Sequence, residues 1–118
     1  MRVNKTFTVG ADPINVGTGL TTAAERVDST PARRIFVQML TGGSGLGYVL
    51  DGIPWGTTPS VATDRHLTAE LTAATATEPG GSYRDGSEGQ RCDIDLSKFW
   101  IHGANSGDKI KVSYDLPV

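Results

Sequence analysis

The sequence predicts an all-β fold, in which residues 1–118 form a single antiparallel β-sandwich or jelly-roll-like domain. Three observations predict this class. Apolar and polar residues alternate with a period of two in several short segments, and clusters of Gly and Pro separate those segments. Fifteen glycines and fourteen threonines also suit short strands joined by turns. We expect roughly seven to nine strands from this spacing.

The N-terminal part predicts two strands followed by a connection. Val3, Phe7 and Val9 alternate with polar residues, so the first strand has one buried face. Residues 10–13 break it, and residues 14–16 begin a second strand before two glycines. Residues 20–32 are mostly polar and contain a proline near their end, which favours a connection over a helix.

The segment RRIFVQML at residues 33–40 predicts a central strand. It is apolar on both faces apart from Gln38, so we expect both faces to be covered. Four glycines follow within residues 42–47, and YVLDGIPW at residues 48–55 predicts another strand. We therefore interpret the glycine loop as the tip of a hairpin that places the two strands side by side.

The glycine loop does not match a phosphate-binding motif. Dinucleotide-binding loops need glycines at the first, third and sixth positions and a helix after them. Starting at Gly42 the third position is Ser44, and starting at Gly43 the sixth is Tyr48. No Gly-Lys-Ser or Gly-Lys-Thr triplet occurs either, so the loop predicts a turn and no cofactor.

Two segments in the middle are less regular. Residues 66–78 fit either a strand or a short helix, because Leu67 and Leu71 satisfy both periods, while four threonines favour the strand. Residues 79–90 contain four glycines and predict an exposed, mobile loop. The C-terminal part predicts strands again, with a change of phase at Ser97 and a half-buried strand over residues 108–116.

Composition and charge exclude several classes. Eleven Lys and Arg against thirteen Asp and Glu give a net charge of -2, spread along the chain, so we expect no nucleic acid as partner. The longest apolar runs are only a few residues, far short of a membrane span, so we expect no membrane as partner either. The only cysteine, Cys92, cannot form an intramolecular disulfide, and we expect it to be a small half-buried residue. The N-terminus lacks the apolar core of a signal peptide, which predicts a soluble protein made in a reducing compartment.

No catalytic or metal-binding pattern is present, and we expect no enzyme activity. Asp93 and Asp95 share one face of a strand, as solvated residues opposite an apolar face do. His66 and His102 have no further ligand at the spacing of a metal site. The sequence GGSGLG around Ser44 is not a nucleophile elbow.

The order of strands and turns resembles small virion proteins of tailed bacteriophages, of the capsid decoration, or cement, type. The resemblance lies in a closing pattern of short strand, Trp-Ile-x-Gly, Gly-Asp turn and Val-x-Tyr strand. The matching residues are Leu96, Trp100, Ile101, Gly103, Gly107, Asp108, Val112 and Tyr114. The chain departs from the simplest members by a longer insertion at residues 57–90.

The resemblance implies a function without catalysis. Such a protein is made in the host cytoplasm, binds the outer surface of the phage head and stabilises the capsid. Its partner would be the major capsid protein or another virion protein, and it would be a homo-oligomer, as the many trimeric members are. An extended N-terminal arm often contacts the shell in this group.

The candidate contact residues come from the arm and the loops. They are Arg2, Val3 and Asn4 in the arm, Trp55 beside a glycine-proline loop, and Tyr83 and Arg84 in the loop at residues 79–90. Trp100, within Phe-Trp-Ile, is expected in the core. The alternative function is a phage head-fibre or tail adhesion module, in which Trp55 and Tyr83 bind host-surface carbohydrate. A metal-dependent cupin-like enzyme would need histidine spacings that the chain lacks.

Overall fold

The computed structural model describes residues 1–23, 31–60, 66–86 and 94–117. Cys92, Asp93 and residues 87–90 of the predicted mobile loop lie outside the described residues. Within the described ranges the chain forms ten strands and one 3₁₀ turn. They are β1 (Arg2–Thr8), β2 (Ile14–Asn15), β3 (Pro31–Ala32), β4 (Arg34–Met39), β5 (Gly47–Leu50), β6 (Leu67–Leu71), β7 (Ser82–Asp85), β8 (Ile94–Asp95), the 3₁₀ turn (Leu96–Lys98), β9 (Trp100–Gly103) and β10 (Lys109–Asp115).

Two four-stranded antiparallel sheets pack face to face, which confirms the predicted β-sandwich. The first sheet has the order β1-β10-β4-β7, the second has the order β2-β9-β5-β6, and β3 and β8 form a separate two-stranded pair. The pairs β1 with β10, β2 with β9, β4 with β7, and β5 with β6 are nested in the sequence. The N-terminal strands thus pair with the C-terminal strands in reverse order, and the pairs alternate between the two sheets, as in a jelly roll.

The main core lies between the two sheets and follows from the period-two alternation of the strands. On β4 and β10 every second residue is buried, while the residues between them are half-buried or exposed. Each fully buried Val, Leu or Ile side chain contributes roughly 1.5–3 kcal/mol relative to an exposed one. The completely enclosed core side chains from the two sheets, the 3₁₀ turn and the residue after that turn include Ile35, Val37, Met39, Val49, Leu96, Phe99, Ile101, Ile110 and Val112.

A second apolar cluster lies on the outer side of the second sheet. Leu50, Ile53 and Trp100 are buried there, and Tyr48 packs against them. The segment after β5 covers this face, where the Ile53 amide donates to the Lys98 carbonyl over 3.2 Å. The prediction that Trp100 is buried is confirmed, although it belongs to this outer cluster and not to the main core.

The glycine loop connects the two sheets and is not the tip of a hairpin, so that prediction is wrong. β4 pairs with β10 and β7 in the first sheet, whereas β5 pairs with β9 and β6 in the second. The local sequence of a connection between sheets and that of a hairpin are the same: an apolar strand, glycines and another apolar strand. Only the choice of partner strands distinguishes them.

The glycine loop wraps around a carboxylate of the chain itself. The Gly45 amide donates to Oδ2 of the buried Asp108 over 2.9 Å. A Cβ atom on Gly43 would lie 2.8 Å from the Asp108 Cγ, so only glycine leaves room for the carboxylate there. The loop therefore binds an anion, as glycine-rich loops do, but the anion is an internal side chain.

Residues 66–78 contain a strand and no helix in their described structure. β6 pairs with β5 from Gly47↔Leu71 to Leu50↔Leu67, with a register shift between Val49 and Leu50. The β-branched threonines suit this extended conformation. Of the two conformations that the sequence allowed, the strand is the one formed, over Leu67–Leu71.

Two other segments differ from their predicted structure. Ser82–Asp85 forms β7, an edge strand paired with β4, although it lies in the predicted mobile loop at residues 79–90. Residues 1–4 do not form a free arm, because β1 pairs with β10 along its whole length, from Arg2↔Asp115 to Thr8↔Lys109. β1 was predicted as a strand, but not its pairing from Arg2 onward, and β7 is polar enough to resemble a loop, since it lies at a sheet edge with one solvated face.

Candidate functional site

The outer face of the first sheet carries a row of polar and charged side chains. On β4, Arg34, Phe36 and Gln38 are half-buried and alternate with fully buried neighbours. The prediction that both faces of this strand are covered is therefore wrong. The misleading signal was Phe36, an apolar residue that lies on the solvated face.

The strand register brings residues that are distant in sequence into two rows across this face. Arg2, Asp115 and Arg34 are cross-strand neighbours on β1, β10 and β4. In the next row Asn4 lies opposite Ser113, Ser113 opposite Phe36, and Phe36 opposite Arg84. Residues from all four strands thus meet on one side of the sheet.

These rows line an open groove of about 550 Å³, which we call the basic groove. Its defining residues are Arg2, Arg34, Phe36, Arg84, Lys111 and Asp115. Four cationic side chains and one carboxylate give these residues a net charge of +3, in a chain whose net charge is -2. The cations are scattered along the sequence, and only the fold collects them on one surface.

Asp115 holds two of the arginines in place. Its Oδ1 accepts from Arg2 Nε over 3.0 Å, and its Oδ2 accepts from Arg34 Nε over 2.6 Å and also pairs with Arg34 Nη2. The hydrogen bond from Arg2 lowers the pKa of Asp115 most, the bond from Arg34 adds to this, and partial burial opposes both. The carboxylate is therefore ionised at neutral pH and fixes both guanidinium groups.

The other two cations of the basic groove lack such a partner. The Arg84 guanidinium lies over the Phe36 ring, 4.9 Å from its centroid. Lys111 is exposed on β10, next to Ser113, whose hydroxyl donates to Asn4 Oδ1 over 2.6 Å. Neither Arg84 nor Lys111 forms a salt bridge with any residue in the described parts of the chain.

The six predicted contact residues are divided among three places. Arg2, Asn4 and Arg84 line the basic groove. Val3 and Tyr83 pack against the core, where the Tyr83 and Phe99 ring centroids are 6.3 Å apart. Trp55 is 43 % exposed on the outer side of the second sheet, with Lys98 Nζ 5.6 Å from its ring centroid.

Sequence reasoning missed four residues of the basic groove, Arg34, Phe36, Lys111 and Asp115. The alternation of residues 109–115 placed Lys111 and Asp115 on a solvated face, which is where the structure has them. Nothing local, however, indicates that this face lies next to that of β4. The sequence of each strand indicates which of its residues face solvent, but it does not indicate which strands become neighbours.

The two histidines and their neighbours do not form a second site. His102 stacks on Tyr48, with ring centroids 6.4 Å apart. Burial raises the pKa of Asp51, while its hydrogen bond from the Gly52 amide opposes the rise. Among the described residues there is no group of three or more His, Cys, Asp or Glu side chains that could hold a metal ion.

Comparison of the chain with protein-family models, with curated proteins and with solved structures finds no match. In the described part of the chain there is also no helix with the length and apolar character needed to cross a membrane.

Proposed function

We propose that the protein is a virion structural protein of the capsid decoration type, which binds the outer surface of a phage head through the basic groove. The observation that carries the proposal is the groove itself. It crosses all four strands of the first sheet and presents two cations, Arg84 and Lys111, that have no carboxylate partner among the described residues. Such a face on a paired sheet is rigid and can bind another protein without rearrangement.

The fold supports this function only in general terms. Jelly-roll sandwiches recur in viral capsid proteins and in lectins, so the fold is compatible with the resemblance to phage virion proteins. The same fold hosts many functions, and the residues of a site determine which one a protein performs. The partner we propose is the major capsid protein, and a trimeric assembly would repeat the basic groove three times on the capsid surface.

Co-sedimentation with phage heads tests this function. The purified chain is mixed with heads assembled from the major capsid protein encoded in the same genome, and the pelleted fraction is measured. We expect the wild type to pellet with the heads and to raise their melting temperature. A chain that remains in the supernatant at concentrations well above those of the capsid subunits would refute the proposal.

Charge reversal localises the contact. Arg84→Glu combined with Lys111→Glu should abolish co-sedimentation, because both substitutions place anions in the basic groove. Lys98→Glu is the matched control, since Lys98 lies in the 3₁₀ turn beside Trp55 and does not line the basic groove. If the control loses binding and the double variant keeps it, the contact lies on the opposite side of the sandwich.

The second candidate is the head-fibre or tail adhesion module that binds carbohydrate, and the exposure of Trp55 favours it. An exposed indole can stack on a sugar ring, and Lys98 beside it limits the orientations of the ring. Tyr83 no longer supports this function, because its ring packs against the core. Binding in a glycan screen that is lost on Trp55→Ala would establish it, and a screen without any hit would exclude it.

A further inference from the structure

We infer that the occupant of the basic groove is an extended acidic peptide segment of the partner protein, whose carboxylates pair with Arg84 and Lys111. This inference rests on the proposed function, since it specifies the chemistry of the partner. Three features of the groove lead to it: its length, the position of its unpaired cations, and the apolar ring between them.

The groove fits a short extended segment. It is lined by residues of β1, β10, β4 and β7, so it spans three spacings between neighbouring strands. At about 4.8 Å for each spacing the span is about 14 Å. An extended chain covers about 3.3 Å per residue, so the groove accommodates about four or five residues.

The charges of the groove favour carboxylates at particular positions. Arg2 and Arg34 are held by Asp115, so their charge is largely compensated. Arg84 on β7 and Lys111 on β10 are exposed and lie on either side of β4. An occupant with one carboxylate for each of them would neutralise both cations at once.

The apolar part of the groove lies between the two unpaired cations. Phe36 is on β4, next to Arg84 on one side and Ser113 on the other. Its half-buried ring offers a contact for an apolar side chain. The expected sequence therefore has an apolar residue flanked by acidic ones, which a protein segment can supply.

A single-stranded nucleic acid fits this groove less well. Its phosphates recur at every nucleotide, and Asp115 places a negative charge in their path. Proteins that bind single strands also present several aromatic rings for successive bases. Among the described residues that line the groove, Phe36 is the only side chain that could stack in this way without belonging to the core, so successive bases would not find successive rings.

A peptide-binding experiment tests the inference. Fluorescence anisotropy is measured with a labelled peptide centred on Glu-Glu-Leu-Glu-Glu, with its Gln-Gln-Leu-Gln-Gln counterpart and with an oligothymidylate of about ten nucleotides. We expect the acidic peptide to bind about tenfold more tightly than the glutamine peptide. This preference should shrink when the ionic strength rises from about 20 mM to about 300 mM.

Two variants assign the binding to the groove. Arg84→Gln with Lys111→Gln should weaken acidic-peptide binding about tenfold, whereas the control Lys98→Gln should leave it unchanged. The single variant Lys111→Gln should weaken binding severalfold. Because Lys111 is exposed, this variant tests the inference even if the double variant does not fold. Equal binding by wild type and double variant would overturn the inference.

The outcomes for the inference and for the proposed function are separable. If the wild type pellets with heads but does not prefer the acidic peptide, the inference is wrong and the function stands. If it prefers the acidic peptide but never pellets with heads, the inference stands and the function is wrong. Tighter binding of the oligothymidylate than of the acidic peptide would overturn the inference in favour of a nucleic acid.

Discussion

Replacement of Asp108 should destabilise the protein, because its carboxylate holds the glycine loop. Its carboxylate is 7 % exposed and accepts the amide hydrogen of the buried Gly45 over 2.9 Å. Asp108→Ala removes a hydrogen bond to a charged acceptor and leaves a buried N–H group without a partner. A loss of this kind costs about 2–3 kcal/mol of the free energy of unfolding.

Asp108→Asn separates the charge from the hydrogen bond. The amide oxygen can still accept from Gly45, but the bond is no longer assisted by a negative charge. We expect a loss of about 1 kcal/mol for this variant. Asp12→Ala is the matched control, because Asp12 lies in an exposed turn and its loss should change stability by less than about 0.5 kcal/mol.

Urea unfolding, followed by the fluorescence of the two tryptophans, measures these differences. The m-value should stay constant, so that changes in midpoint report changes in stability. If Asp108→Ala unfolds within about 0.5 kcal/mol of the wild type, the carboxylate does not hold the glycine loop and the reasoning is refuted. If Asp108→Asn costs as much as the alanine variant, the negative charge and not the hydrogen-bond acceptor is what the loop needs.

Three further substitutions test other parts of the structure by urea unfolding. Asp115→Asn should lower the free energy of unfolding at pH 7, because the pKa of Asp115 is lowered in the folded state and the ionised carboxylate stabilises the fold at pH values above 3.8. The difference in stability between variant and wild type should vanish as the pH falls through the folded pKa. Asp51→Asn should have the opposite pH dependence, because the pKa of Asp51 is raised in the folded state. The stabilising contribution of Asp51 is complete below pH 3.8 and is lost as the pH rises through the folded pKa. The stability of the variant relative to the wild type should therefore increase towards neutral pH. If the stability of either variant and that of the wild type change with pH in parallel, the pKa shift of that aspartate is not what sets the pH dependence. Gly47→Ala should cost about 1–3 kcal/mol, because its Cβ would collide with Met39 Sδ and would lie 3.2 Å from Met39 Cγ and 3.3 Å from Leu71 Cβ. A double-mutant cycle with Met39→Val should recover about 1 kcal/mol of that loss, and strictly additive effects would show that the two sheets do not meet at this point.

Local sequence was enough to predict the class of fold and its clearest strands. Ile110, Val112 and Tyr114 alternate with polar residues, and β10 has that face buried in the structure. Val3 and Phe7 likewise predicted β1. A period of two is imposed by the geometry of a single extended strand, so it can be read without knowing the neighbours of the strand.

Short edge strands were harder to predict. β7 is only four residues long, polar at three of them, and follows two glycines. Its conformation depends on the hydrogen bonds with β4 more than on its own composition. Strand propensity is a property of context, and a polar segment becomes a strand when a sheet edge is available to it.

The candidate site depended on tertiary structure almost entirely. Arg2 and Asp115 are 113 positions apart and Arg34 and Asp115 are 81 apart, yet they form one cluster. An even distribution of charge along the sequence therefore did not predict an even distribution on the surface. Which strands become neighbours is decided by burying the apolar faces of the whole chain at once, and the charged residues on the opposite faces are brought together as a consequence.

The glycine loop illustrates the same division. Its glycine spacing and the strand after it were sufficient to argue against a nucleotide, because those are local requirements of the motif. That it joins two sheets, and that it closes around Asp108 from 63 positions away, followed only from the folded chain. The sequence determined where the chain could turn and which residues could be buried, whereas long-range packing determined which strands and charges would meet.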